Sequence, residues 1–138
     1  MRDRKWTDCP ACGMSSSMRA ERDMREKFLP PGYPPVVIDS LDGQFCETCG
    51  EGFWSLRSER RIARRLAEHR AQYDATRVVA AELVSVQEAA ASLQVSVQAV
   101  HKMMEEGRLR FVYAAGRKFP IRKEIASARR LREGLPDV

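Results

Sequence analysis

Four cysteines occur in two pairs with the same local pattern, Cys9-Pro10-Ala11-Cys12-Gly13 and Cys46-Glu47-Thr48-Cys49-Gly50. Two residues between the cysteines of a pair let both sulfurs reach one metal ion from a tight turn. The glycine that follows tolerates the positive φ that such a turn often needs. Two pairs supply four thiolates, which complete a tetrahedral shell and leave no position for a reactive water. The pattern therefore predicts one structural Zn²⁺, held by Cys9, Cys12, Cys46 and Cys49.

Two disulfides, a redox-active Cys-x-x-Cys pair and an iron–sulfur cluster are the alternatives to zinc. The first residues are charged without the apolar stretch of a secretory signal, and no apolar run reaches the roughly 20 residues that a membrane span needs. We therefore expect a cytoplasmic protein without membrane association, in which thiols stay reduced and bind metal more often than they pair. A redox site needs only one pair, and neither pair lies in a βαβ pattern. The cysteine spacing alone does not distinguish an iron–sulfur cluster from zinc.

The net charge of +5 is unevenly distributed along the 138 residues. Residues 1–56 hold 7 Lys/Arg and 9 Asp/Glu, residues 57–77 hold 7 and 3, and residues 78–138 hold 10 and 7. The first segment is acidic, and the two that follow are basic and suit a polyanion such as DNA. We divide the chain into a four-cysteine zinc-binding module (1–56), a basic connecting helix (57–77) and a DNA-binding domain (78–138).

The acidic segment has few helix signals. Its proline cluster, residues 30–35, cannot be helical because proline lacks an N–H and forces its predecessor into extended geometry. Residues 36–38 predict a short strand, and the dipeptide Asp42-Gly43 predicts a turn that leads into a second strand toward Phe45. Apolar residues near the cysteines are few for a segment of this size, so we expect its fold to depend on the metal.

The basic segment predicts a helix over residues 58–73, which contain no Gly or Pro. Four residues recur at helical spacing and predict its packed face. They are Ile62, Leu66, His69 and Tyr73. The arginines of this helix lie mostly off that stripe. They form either a solvated basic face or, as the alternative, a direct nucleic-acid contact.

From Leu83 onward the pattern is that of two short helices followed by a hairpin. Helices are predicted over 86–93 and 97–106, hairpin strands over 109–113 and 117–121, and a last helix over 123–132. Ser85 and Ser96 are positioned to cap the first two helices, and Glu88 completes a capping box with Ser85.

The second of these helices has a polar outward face. Val97 and Val100 face the core, whereas the opposite side of the helix and the hairpin carry groups that can bind base edges or phosphates. The candidate DNA-binding residues are Gln98, His101, Lys102, Arg110, Arg117 and Lys118. The alternative is an ordinary helical hairpin with polar outer residues, followed by a solvated basic hairpin.

Residues 83–125 resemble the small winged helix-turn-helix domains of the excisionase and MerR-type group. The matching residues are Glu88-Ala89-Ala90, Leu93, Val95-Ser96, Val100, Gly107, Leu109 and Gly116-Arg117 with Phe119-Pro120-Ile121. The expected fold is therefore α+β, with a small four-cysteine zinc-binding β module, a connecting helix and a C-terminal winged helix-turn-helix that binds double-stranded DNA.

The N-terminal half resembles the YgiT/MqsA-type zinc-finger antitoxins. The resemblance rests on the two Cys-x-x-Cys-Gly turns, the long strand-forming insert between them, Glu51 after the second turn, and the Arg-rich helix that follows. It implies an antitoxin whose zinc module packs against a ribonuclease toxin of the RelE-like fold. It also implies that the C-terminal module binds the promoter of its own operon, usually as a homodimer.

A phage or mobile-element regulator of the excisionase type, without a toxin, is the alternative function. Enzymatic activity is not expected, because the sequence offers no nucleophile–base arrangement, no open metal site and no phosphate-cradling glycine loop.

Overall fold

A computed structural model describes residues 3–132 and 134 of the chain. Helices and strands are both present, which confirms the α+β class. The chain divides into two compact units between Ile62 and Ala63. The elements in chain order are β1 (Met18–Phe28), β2 (Val36–Cys46), β3 (Gly52–Trp54), α1 (Leu56–Asp74), a 3-10 turn (Ala80–Glu82), α2 (Val86–Leu93), α3 (Val97–Glu105), β4 (Phe111–Ala114), β5 (Arg117–Pro120) and α4 (Arg122–Arg132).

The first unit is built on an antiparallel sheet with the strand order β1-β2-β3. β1 and β2 pair from Met18 opposite Cys46 to Phe28 opposite Val36, with two irregularities around Met24. The sequence analysis did not predict β1, because its exposed charged residues show no alternation of apolar and polar side chains. The pairing returns the second cysteine pair to the start of β1, close to the first pair.

The predicted turn at Asp42-Gly43 is wrong, because β2 runs through both residues without a break. Gly43 is required for close packing instead. A Cβ at this position would lie 2.7 Å from the Phe53 carbonyl oxygen and 2.7 Å from the Phe45 ring. The dipeptide that usually marks a hairpin therefore marks a close approach between β2 and β3.

Helix α1 begins at Leu56, two residues before its predicted start, and its N-terminus is fixed to the sheet by polar contacts. The Leu56 amide donates to the Asp3 carboxylate at 2.8 Å. The fully buried hydroxyl of Ser58 accepts the Asp42 amide at 2.8 Å. The carboxylate of Asp42 accepts Arg57 at 2.8 Å, and this ion pair lowers the pKa of Asp42. Asp42 thus joins β2 to the first turn of α1.

The packed face of α1 differs from the predicted stripe, whose four members are only half-buried. The buried apolar residues of its C-terminal half are instead Ala67 and Ala71, which belong to the core of the second unit. Small side chains allow neighbouring elements to approach the helix axis closely, and the larger residues flank that contact. Part of α1 is therefore core structure of the second unit.

The second unit contains α2, α3, the β4–β5 hairpin and α4 around one core. Its other buried apolar members are Val84, Val86, Ala89, Ala90, Leu93, Val100, Met104, Leu109, Phe111 and Ile125. Helix α2 has its predicted bounds, α3 ends one residue earlier than predicted, and the hairpin strands are shorter than predicted. Helices and hairpin follow in the predicted order.

Serine caps define both short helices, as predicted. Ser85 Oγ accepts the amide of Glu88 at 3.0 Å, and Ser96 Oγ accepts the amide of Ala99 at 3.1 Å. The Glu88 carboxylate, expected to close a capping box, lies 3.6 Å from the Arg122 guanidinium at the start of α4. The caps fix where α3 begins and therefore which of its residues face outward.

Replacing Ser58 with Ala should lower the free energy of unfolding of the first unit by about 1–3 kcal/mol, because the Asp42 amide would lose its buried acceptor. Urea unfolding of the zinc-loaded chain, followed by tryptophan fluorescence, measures this change, since Trp6 and Trp54 both lie in the first unit. Ser15→Ala, at an exposed serine, is the control. Equal midpoints for the two variants would contradict the assigned role.

Candidate metal centre and nucleic-acid interface

Each cysteine pair forms the same tight turn. In the first, the Cys9 amide donates to the Met14 carbonyl at 3.0 Å, and the Gly13 amide donates to the Cys9 carbonyl at 2.9 Å. In the second, the Gly50 amide donates to the Cys46 carbonyl at 3.0 Å. Gly13 and Gly50 have φ of 78° and 77°, in the left-handed region that favours glycine. The expected reason for both glycines is confirmed.

The two turns bring all four sulfur atoms within 4.8 Å of one another. Cys9 Sγ lies 3.7 Å from Cys49 Sγ, and Cys12 Sγ lies 3.7 Å from Cys46 Sγ. Four sulfurs at about 2.3 Å from a central zinc, at tetrahedral angles, would be about 3.8 Å apart. All four are free thiols, with Cys9 and Cys46 buried and Cys12 and Cys49 exposed. The site therefore fits one tetrahedral Zn²⁺.

The environment of the thiols favours a bound cation. The hydrogen bond between Cys46 and the buried Ser17 hydroxyl, helped by the amides of Cys49 and Thr48, lowers the pKa of Cys46 to about 6. The Glu51 amide lowers the pKa of Cys49, but burial and the neighbouring thiols outweigh it and raise that pKa to about 12. The site thus favours the thiolate at Cys46 and disfavours it at Cys49, and a divalent cation would favour the thiolate form of each of its ligands.

Ser17 is a residue that sequence reasoning missed. Its hydroxyl lies 3.2 Å from Cys46 Sγ and donates to the Met14 carbonyl at 2.9 Å. Its own carbonyl accepts the Glu47 amide at 2.9 Å. Ser17 therefore connects the turn of the first pair to the turn of the second. The available sequence signal was its place in a run of serines directly after the first turn.

The outward face of α3 carries three of the predicted DNA-binding side chains. Gln98, His101 and Lys102 are exposed, whereas Val100 and Met104 are fully buried. Lys102 lies 3.9 Å from Glu106, and its side chain is 71% exposed. A distant, solvated ion pair of this kind is weak, so it leaves the ammonium group available to another anion.

The β4–β5 hairpin carries the other three predicted residues. Ala115 and Gly116 connect its strands, and their φ values of 51° and 73° are those of a two-residue type I′ turn. Arg117 follows the turn and is exposed. Lys118 is half-buried, with its Nζ 5.2 Å from the centroid of the Phe111 ring. Arg117 is thus the exposed cation at the turn of the β4–β5 hairpin.

Arg110 is engaged within the second unit. Its guanidinium donates to the Asp74 carboxylate at 2.9 Å and to the Glu124 carboxylate at 3.2 Å. The side chain of Asp74 is 6% exposed and closes the C-terminal end of α1. This arrangement joins α1, the residue before β4, and α4. No sequence pattern indicates it, because the partners are 36 and 14 residues apart.

A second arginine of α1 reaches the segment that follows α3. The Arg70 guanidinium donates to the Gly107 carbonyl at 3.4 Å, and Gly107 has a φ of 77°. This glycine directly follows Glu106, the C-cap residue of α3. The contact gives α1 a further role in positioning α3 and the hairpin.

The site and the fold define a zinc-binding protein whose second unit pairs two capped helices with a small basic hairpin. The protein family described as "Antitoxin component of bacterial toxin-antitoxin system, MqsA" matches residues 7–126, which include both cysteine pairs and all of α1 to β5. The chain therefore belongs to the MqsA antitoxin family. Membership of an antitoxin family indicates a regulatory, non-enzymatic role.

The predicted membership of the YgiT/MqsA-type antitoxins is thus confirmed, whereas the resemblance to excisionase and MerR-type domains stays a prediction. No curated protein matches the chain, and no solved structure matches it either. Among the described residues, no helix is sufficiently long and apolar for a membrane span.

Removing the metal should unfold the first unit and leave the second largely intact, because the cysteine turns join the ends of a small sheet and the second unit has its own core. Metal analysis should give one zinc per chain before chelation. Amide exchange after chelation should show lost protection in β1 and β2, with α2 and α3 still protected. Unchanged protection in β1 and β2 would show that the fold does not depend on zinc.

Proposed function

We propose that this chain is the antitoxin of a type II toxin–antitoxin pair that binds its own promoter through α3 and the β4–β5 hairpin and binds a ribonuclease toxin through its zinc unit. The observation that carries the DNA-binding half is the outward face of α3. Its polar side chains are exposed, whereas the opposite face of the helix is buried. A hairpin with an exposed arginine follows the helix. This is the arrangement that reads a major groove and contacts the adjacent backbone.

The proposed contacts have different roles. Gln98, near the N-terminus of α3, is suited to a bidentate hydrogen bond with a base edge. Lys102 and Arg117 supply charge to phosphates, and His101 shares the α3 face. Lys118 is proposed to contribute at the flank of the hairpin. Arg110 is not included among the contacts, because its guanidinium is held by two carboxylates of its own unit.

The toxin-binding half is supported by family membership and by charge. Residues 1–56 have 7 basic and 9 acidic side chains, and a zinc ion with four thiolates makes this segment more negative still. An RNA-cleaving toxin must hold a polyanionic substrate and is therefore expected to be basic around its active site. Complementary charge steers association and favours this partner over others.

Lys102→Ala and Arg117→Ala should each weaken promoter binding and reduce the slope of log K against log salt by about one, because each removes one phosphate contact. Fluorescence anisotropy with a promoter duplex at several salt concentrations measures both quantities. Arg19→Ala, which removes an exposed cation from the first unit, is the charge-matched control. Affinity and slope equal to those of the parent in both variants would contradict the DNA-binding assignment.

The Arg110→Ala variant tests whether Arg110 stabilises the second unit or contacts DNA. It should lower the free energy of unfolding by about 1–3 kcal/mol, because Asp74 would remain buried without its charged partner. The salt slope of the folded variant should match that of the parent. A slope reduced by about one, with unchanged stability, would instead place Arg110 at the phosphate backbone.

The toxin assignment is tested with the full zinc-loaded chain and the purified product of the adjacent reading frame. We expect a stable complex in size-exclusion chromatography, and suppression of RNA cleavage by that product at stoichiometric amounts of the chain. Absence of both effects would overturn the toxin-binding half of the proposal. The promoter measurements would then test the DNA-binding half of the proposal and the alternative of a mobile-element regulator.

A further inference from the structure

The hydroxyl of Ser17 has a single proton and two polar neighbours. Its Oγ lies 2.9 Å from the Met14 carbonyl oxygen and 3.2 Å from Cys46 Sγ. While Cys46 is a thiol, both contacts are hydrogen bonds, because the thiol donates to Ser17 and the Ser17 hydroxyl donates to Met14. Ser17 is therefore the middle member of a short hydrogen-bonded chain that ends at a metal ligand.

Zinc binding removes the proton on which this chain depends. A cysteine that ligates zinc is a thiolate, which accepts hydrogen bonds and has no proton to donate. If the Ser17 hydroxyl kept its bond to Met14, an oxygen lone pair would face the charged sulfur at 3.2 Å. Two acceptors in contact at a buried position are unfavourable, because neither has a donor in the other.

Burial leaves no room for solvent to relieve this contact. Ser17 is 4% exposed and Cys46 is 3% exposed. The sulfur also accepts the amides of Thr48 and Cys49 from its own turn, at 3.3 and 3.4 Å. The Ser17 hydroxyl is closer than either amide and comes from the other side of the site. A hydrogen bond to an ionised acceptor in a buried site is of the stronger kind.

The Met14 carbonyl can release Ser17 and still have a donor. It also accepts the Cys9 amide at 3.0 Å, in the turn of the first cysteine pair. A hydroxyl hydrogen rotates about the Cβ–Oγ bond, so it can pass from one acceptor to the other while the heavy atoms stay in place. The backbone of Ser17 is held independently of its side chain, because its carbonyl accepts the Glu47 amide at 2.9 Å.

We infer that Ser17 is a positioning residue of the zinc site, whose hydroxyl turns from the Met14 carbonyl to Cys46 Sγ when zinc binds and thereby tightens zinc binding. The hydrogen bond stabilises the negative charge on a buried sulfur and fixes the direction from which that sulfur faces the metal. Groups that hydrogen-bond to metal ligands commonly change metal affinity by about 10- to 100-fold. The inference concerns the metal centre and does not depend on the proposed function.

The alternative is that the Ser17 hydroxyl stays on Met14 in the zinc-loaded chain. Ser17 would then only tie the start of β1 to the first cysteine turn. Loss of the hydroxyl would lower the stability of the first unit in both cases. The electrons of the Cys46 sulfur distinguish the two, because only a hydrogen bond from Ser17 lowers their energy.

The experiment compares Ser17→Ala with Ser15→Ala in the full chain. Ser15 belongs to the same run of serines but is exposed, so it is the matched control. Zinc affinity is measured by competition with a chromophoric chelator, and the sulfur-to-metal charge-transfer band is measured with Co²⁺ in place of zinc. We expect Ser17→Ala to raise the Kd for zinc by about 10- to 100-fold and to shift the band to longer wavelength, and Ser15→Ala to match the parent.

The position of the band decides between the two roles of Ser17. A band of Ser17→Ala at the parent's wavelength would overturn the inference, whatever the effect on affinity, and would leave Ser17 as a structural tie. A shifted band with a zinc Kd within twofold of the parent would overturn the inference that the hydrogen bond tightens zinc binding. If Ser17→Ala holds no Co²⁺, Cd²⁺ becomes the probe, because this softer cation suits thiolates, and the cadmium NMR shift replaces the band. An unchanged cadmium shift would likewise overturn the inference.

Discussion

Four sulfur atoms within 4.8 Å of one another are the constraint on which the first unit depends. Without a cation, burial and hydrogen bonds with the neighbouring thiols raise the pKa of Cys49 to about 12. With a divalent cation the same sulfurs become its ligands. The strand pairing that returns Cys46 to the start of β1 is therefore both required by the metal and stabilised by it. A sheet with few buried apolar residues has no comparable alternative source of stability.

In the second unit, neighbouring side chains compensate a buried negative charge. Asp74 is a buried acid at the C-terminus of α1, where the helix dipole disfavours a negative charge. Arg110 supplies the opposite charge from the start of the hairpin, and Glu124 holds the arginine from α4. The geometry of the proposed DNA-binding elements thus depends on a helix that the sequence analysis treated as a connection.

What the sequence predicted well was local. The cysteine turns, the serine caps and the bounds of α2 each depend on residues within about five positions of one another, and their physical reasons can be seen in the chain itself. What it missed was non-local. Strand β1 carries charges on both faces, the Asp42-Gly43 dipeptide serves close packing instead of a turn, and Asp74 finds its partner 36 residues away. In each case the deciding neighbour comes from another element.

Helix α1 has a consequence for how such proteins can diversify. Its first turns supply Ser58 to the first unit, and its later turns supply Ala67 and Ala71 to the core of the second. Recombination that joins a zinc unit to a different C-terminal domain must therefore cut inside this helix, near Ile62 and Ala63, or carry the later turns along with the second unit. A crossover placed at residue 78 would separate the second unit from two of its own core residues. Exchange of the C-terminal domain is thus confined to about one helical turn.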